Sequence, residues 1–150
     1  MSKFVDIEID RGSVKRFEKS SKRYGKESAK ALLRAIMRTA FAVESDAKRR
    51  LQGQLGSARH WVTGRLASSV HVEAKGENTF EGVKDSEAKD GKLNVSVKEL
   101  EAVVGTNVEY AQKIEFDYDS FIMFGYNRQA KNLPKRVQEE WNKLDKKFNG

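Results

Sequence analysis

Hydrophobic positions along this chain change period several times, and each change marks a predicted element. Between Ser28 and Leu51, residues Ala29, Leu32, Leu33, Ile36, Met37, Ala40, Val43, Ala47 and Leu51 recur at steps of three and four, while Lys30, Arg34, Arg38, Lys48 and Arg49 fall off that stripe. One face of an α-helix has this spacing, so a long helix is predicted over 28–51. Near the C-terminus Leu133, Val137, Trp141, Leu144 and Phe148 follow steps of 4, 4, 3 and 4. Pro134 sits in the first turn, where its missing N–H costs least, and a second amphipathic helix is predicted over 131–148.

Elsewhere the period shortens to two. Phe4, Val5, Ile7 and Ile9 alternate with Asp6, Glu8 and Asp10, which predicts a strand over 3–10 with its carboxylates on one solvated face. Ser68, Val70, Val72 and Ala74 alternate with Ser69, His71 and Glu73, predicting that 66–74 is a strand. Leu93–Val97 and Ala102–Gly105 are two further strands, separated by a charged turn. The pattern over Tyr110–Phe116 fits either a short helix or a strand. A thin, basic helix is expected over 13–24, and the glycine-rich, charged stretch 76–92 is expected to be the most mobile part of the chain. The sum is an α+β fold: a long helix in the N-terminal half packed on a small antiparallel sheet spanning 66–116, with a C-terminal amphipathic helix.

Length limits this to a single domain over 1–150, large enough to bury an autonomous core. With 34% charged residues, much of the surface is committed to solvent or polar partners. The charge is unevenly spread. Residues 11–65 hold 15 Lys/Arg against 4 Asp/Glu, residues 66–127 hold 6 against 12, and residues 128–150 hold 7 against 3. A chain with one basic and one acidic region can pair head to tail with copies of itself; the basic stretch Arg34, Arg38, Lys48, Arg49 and Arg50 is also compatible with non-specific contact to DNA. The acidic, alternating N-terminus does not resemble a signal peptide, and no apolar run approaches a membrane span, so a soluble protein made in the cytoplasm is expected.

Signals for chemistry are sparse. The chain has no cysteine, and its two histidines, His60 and His71, lack the spacing of a zinc site or of a base with an orienting acid. Neither a phosphate-binding Gly-x-x-x-x-Gly-Lys loop nor a Gly-x-Ser-x-Gly elbow is present. No catalytic, cofactor or metal residue is assigned. The aromatic cluster is more informative: Tyr110, Phe116, Tyr118, Phe121, Phe124 and Tyr126 place 6 of the 14 aromatic residues within 17 positions. These rings either close the core over the long helix or face a partner, since aromatic and methionine side chains are enriched at interface centres. Segment 117–128 also holds Asp117, Asp119, Ser120 and Gly125. It is therefore expected to present part of the set Tyr118, Phe121, Ile122, Met123, Phe124 and Tyr126 outward.

Two short segments complete the picture. The first is Thr63-Gly64-Arg65-Leu66-Ala67-Ser68-Ser69-Val70, and the second runs Val104-Gly105-Thr106 through Tyr110-Ala111 to Ile114-Glu115-Phe116. In this order, behind a basic helical half, they resemble the minor structural proteins that complete tailed-phage tails and join them to heads at the neck. The resemblance implies an α+β fold in which Gly64 turns the chain into the first long strand. It also implies architectural roles for Thr63, Gly64, Leu66, Ser69, Gly105, Tyr110, Ala111, Glu115 and Phe116. Its functional implication is a virion protein at the head-tail junction, without enzymatic activity, that touches other neck and tail proteins and forms a homo-oligomeric ring, a hexamer being the expected count. Two departures stand out: Asp117 takes the place of the usual glycine after Glu-Phe, and Phe121–Tyr126 replaces a proline-containing segment. The alternative is a small basic accessory protein that binds nucleic acid without sequence preference.

Overall fold

The computed structural model describes residues 3–8, 26–53, 64–74, 93, 97, 100–109, 111–115 and 120–149. The elements expected at 13–24 and 76–92, and most of 93–97, lie outside these residues. So do Thr63, Tyr110, Phe116 and Tyr118.

The architecture is α+β. Strand β1 (Lys3–Glu8) is followed by helix α1 (Lys26–Leu51), short helix α2 (Gly64–Ser69) and strand β2 (His71–Ala74). Strand β3 (Glu101–Thr106), one helical turn α3 (Ala111–Lys113), helix α4 (Phe121–Gln129) and helix α5 (Leu133–Asn149) complete the order. The three strands form an antiparallel sheet in the order β1-β3-β2, with Val5 opposite Val104 and Val72 opposite Val104 on its other side. All six residues of β3 are buried, as befits a central strand.

Helix α1 is the hub. Its stripe Leu33, Ile36, Met37, Ala40, Val43, Ala47 and Leu51 packs in one cluster with Val70 and Val72, Ala102 and Val104, Val108, and Phe121 and Ile122. Glu27 in its first turn and Lys48, Arg49 and Arg50 in its last complement the helix dipole. It stops where Gly53 takes φ 79°, the left-handed geometry that glycine adopts without a Cβ clash, while the Gln52 amide donates back to Lys48 O at 3.1 Å.

Two expectations are corrected. Residues 66–74 are not one strand: Gly64–Ser69 is helical, and β2 starts only at His71. Gly64 therefore opens a helix rather than a long strand. Leu66, Ala67, Ser69 and Val70 are all buried, at the one-, three- and four-residue steps of a helix face, and over so short a run the alternation of 68, 70 and 72 reads equally well as a strand. The second correction concerns 117–128, expected to be an aromatic interaction segment and given no helix. Phe121–Gln129 is a helix lying against α1. Gly125 lets the two backbones meet, since a Cβ there would stand 2.7 Å from Val43 O.

Helices α4 and α5 are joined by a 3-10 turn, Ala130–Asn132. Pro134 lacks the N–H that would have bonded Ala130 O, and its ring crowds that carbonyl, so the tighter turn falls where a regular helix would be disrupted.

Candidate assembly surface

The two sequence motifs meet in the interior. Ser69 Oγ donates to Leu66 O at 2.7 Å, so it must accept the hydrogen of Thr106 Oγ1, which lies 2.6 Å away. Thr106 Oγ1 in turn accepts the Val108 amide at 3.1 Å. Each hydroxyl gives one hydrogen and receives one, so the relay runs one way from Val108 N–H through Thr106 and Ser69 to Leu66 O. Both side chains are about 1% exposed or less, where an unpaired hydroxyl would be costly. Motif spacing thus reflects bracing: Leu66 and Ser69 come from α2, Thr106 from the end of β3.

The last motif residues act on α4. Ser120 precedes that helix but makes no side-chain cap bond. Glu115, 3% exposed and just beyond α3, takes the role instead: its two carboxylate oxygens accept the amides of Ile122 at 3.1 Å and Met123 at 2.9 Å. These are amides that a helix N-terminus leaves unpaired, and a carboxylate at the positive end of the dipole is favourable.

His71 is a satisfied core residue. It is 1% exposed, with its ring nitrogens 2.9 Å from Ser69 O and 2.5 Å from Glu73 Oε2, and Glu73 also accepts the Leu93 amide at 2.6 Å. Among the described residues no group of three or more His, Asp or Glu side chains is placed to hold a metal ion, and no helix is long and apolar enough to cross a membrane.

The structure splits both surface sets drawn from the sequence. Of the aromatic and apolar set, Phe121 and Ile122 are fully buried in the molecule's own core, which corrects their assignment to a partner face. Tyr126 is half-buried and packs on the same core. Met123 is 39% exposed, and Phe124 lies partly open beside it. Of the basic set, Arg38 turns to α5, with Nη2 at 2.8 Å from Glu139 Oε2 and Nη1 at 3.2 Å from Glu140 Oε1. Arg34 lines a groove between α1 and α5 with Glu27, Glu140, Lys143, Leu144 and Lys147. Only Lys48, Arg49 and Arg50 remain together, at the far end of α1, where Lys48 pairs with Glu44 at 3.3 Å. There the remnants of the two sets converge: the Arg50 guanidinium lies 4.2 Å from the centroid of the Phe124 ring.

Sequence reasoning missed the polar seam that holds α4 and α5. Asp46, 4% exposed, accepts Arg128 Nε at 3.0 Å and Gln129 Nε2 at 2.7 Å. Arg136 reaches Thr39 Oγ1 at 3.1 Å and Gln129 Oε1 at 2.8 Å. Burial pushes the Arg136 guanidinium down from its ordinary pKa, and the neighbouring Arg38 adds to the shift. The hydrogen bond from Arg38 holds the Glu139 carboxyl below its ordinary value. At Glu27 partial desolvation opposes ionisation, but Lys147 and Lys30 outweigh it, and that carboxyl is lowered too. The one available signal was polar residues, Thr39 and Asp46, lying off the solvent-facing side of a long amphipathic helix.

Among the described motif residues, Ser69, Thr106 and Glu115 brace backbone groups of the fold. The chain belongs to the HK97-gp10-like family, described as "Bacteriophage HK97-gp10, putative tail-component", whose model matches residues 15–116. It is thus a member of a family of phage tail components, a class of virion structural proteins that work against other phage proteins. No curated protein and no solved structure matched the chain. The family match ends before α4, so α4 and α5 lie outside it.

Proposed function

We propose that this protein acts at the junction of phage head and tail, as a tail-completion or neck component that assembles with copies of itself into a ring and carries out no catalysis. The family match over 15–116 carries the proposal. The uneven charge supports self-assembly: a basic stretch and an acidic stretch on one chain make a heterologous contact, which closes into a ring when the rotation between copies permits. A hexamer is the count proposed, and the ring would touch the tail and neck proteins above and below it.

Deletion of the gene from the phage tests the role. DNA-filled heads and complete tails that fail to join are expected, and normal infectious particles would exclude it. Nucleic-acid binding as the main activity finds less support, because Arg34 and Arg38 are drawn toward α5 and do not continue the basic end of α1.

A further inference from the structure

Successive residues of a strand alternate between the two faces of its sheet. Val72, Ala102 and Val104 pack with α1, so His71, Glu73, Val103 and Gly105 belong to the opposite face, with His71 across the ladder from Gly105 and Glu73 across from Val103. His71 is buried there, and the Leu93 amide, twenty residues further on, is tied to Glu73 Oε2 at 2.6 Å.

Counting hydrogens in this cluster fixes a protonation state. Ser69 O can only accept, so the hydrogen between it and His71 Nδ1, 2.9 Å away, belongs to the ring. A neutral imidazole carries one such hydrogen, and its Nε2 would then aim a lone pair at Glu73 Oε2, 2.5 Å away. Two acceptors cannot share that line without a proton between them. The same oxygen also receives the Leu93 N–H, a role that suits an ionised carboxylate better than the hydroxyl of a carboxylic acid, which leaves the proton on the ring. The neighbouring elements bring mainly acids to this face. On β3, Gly105 and Val103 do not titrate, and buried Glu101 stands two residues from Val103; on β1 the register sets Asp6 opposite Val103 and Glu8 opposite Glu101. Helix α2, which supplies Ser69, has one charged residue, Arg65, four positions earlier.

We infer that His71 and Glu73 form a buried imidazolium–carboxylate pair that works as a pH-operated latch between strand β2 and the chain at Leu93. With the proton in place, Glu73 bridges the His71 ring and the Leu93 amide. When rising pH removes the proton, the Nε2 lone pair and the carboxylate repel, Glu73 turns away, and the Leu93 amide loses its acceptor. The stabilisation is complete while both charges are present and is lost as the pH rises past the point where the folded ring gives up its second hydrogen. Alkali opens this latch, and the opening is local, because the packing on α1 uses the other face of the sheet. The device is independent of ring assembly.

Ring-nitrogen NMR on the full, nitrogen-15-labelled chain reads the protonation state directly. The chain has two histidines, and His60→Gln identifies the signals of His71. At about pH 7.5, where a free imidazole is roughly nine-tenths neutral, both His71 nitrogens are expected to carry hydrogens. A hydrogen-free ring nitrogen at that pH would overturn the inference, as would a ring that keeps its second hydrogen until the whole chain unfolds. Hydrogen exchange at the Leu93 amide, corrected for the intrinsic rise of exchange with pH, is expected to lose about tenfold in protection across the step in which the ring deprotonates, while the amides of β3 keep theirs. Protection at Leu93 that ignores that step would remove the latch. Glu73→Gln offers a carbonyl to the Leu93 amide and an N–H to a neutral Nε2, so that variant is expected to show a singly protonated ring at about pH 7.5 and no pH step at Leu93. Two ring hydrogens persisting in it would count against the pair, and if it does not fold, the measurements on the chain with Glu73 intact decide.

Discussion

The two sides of helix α1 are held to the rest of the molecule by different forces. Toward the sheet and α4 it presents Ile36, Ala40, Val43 and Ala47, each fully buried against Val72, Val104, Phe121 and Ile122. Toward α5 it presents Arg38, Thr39 and Glu27, which meet Glu139 and Glu140, Arg136, and Lys147. Apart from Leu133, which packs on the main core, the apolar contact on that side is a separate small cluster of Ala31 and Leu144 with Trp141. Burial of apolar area responds little to salt or mild acid, whereas ion pairs at the surface respond to both. One helix therefore couples a body insensitive to salt and mild acid to an arm that is sensitive to them.

The largest effect is expected from the apolar side. Phe121→Ala should cost about 3–5 kcal/mol in denaturant unfolding, because it empties a fully buried ring site in the common core. A cost below about 1 kcal/mol would place α4 outside the core and erase the contrast. Next comes Glu115→Ala, which leaves the Ile122 and Met123 amides without their charged acceptor and should cost about 1.5–3 kcal/mol. Hydrogen exchange should quicken at those amides while β3 keeps its protection. Thr106→Val orphans the buried Val108 amide and should cost about 1–3 kcal/mol. Combined with Ser69→Ala it should fall short of additivity, since both changes cut one relay.

The smallest change belongs to the polar side and is the most dependent on conditions. Arg38→Ala should shift the unfolding midpoint least of the four, since Lys143 still pairs with the buried Glu140, and the part of its effect that comes from exposed Glu139 should be lost at high salt. Glu139 and Glu27 both have pKa values lowered from 4.5 in the folded chain. Their contribution is therefore complete above that pH and is lost as the pH falls through the lowered values. Amides of α5 should lose hydrogen-exchange protection in this acid range before those of β3 do. Simultaneous loss in both would show that the arm and the body unfold as one unit.

How much of this was legible in the sequence depended on whether a single period ran long enough. Helix α1, with nine apolar positions in step, and α5, with Leu133 through Leu144, were plain. Strand β3 was flagged by Ala102-Val103-Val104. Helix α4 was hidden because Gly125 stands at its centre, where glycine disfavours a helix by about 1 kcal/mol. The reason for it, a backbone contact with Val43, is tertiary and leaves no local trace. The surface sets were legible as residue types but not as places. Arg38 and Arg50 look equivalent along α1, yet one meets the carboxylates of α5 and the other a ring of α4, and no local pattern encodes which helix arrives where.

Glu115 has a consequence for how the two parts of the chain are joined. The carboxylate that secures the start of α4 belongs to the family-matched part, while the helix it secures does not. The grip itself makes no demand on side chains, because it holds only main-chain amides; the demand on sequence comes from the core, at Phe121, Ile122 and Gly125. One carboxylate thus fixes where the helix begins, and the packing on α1 fixes which way it runs.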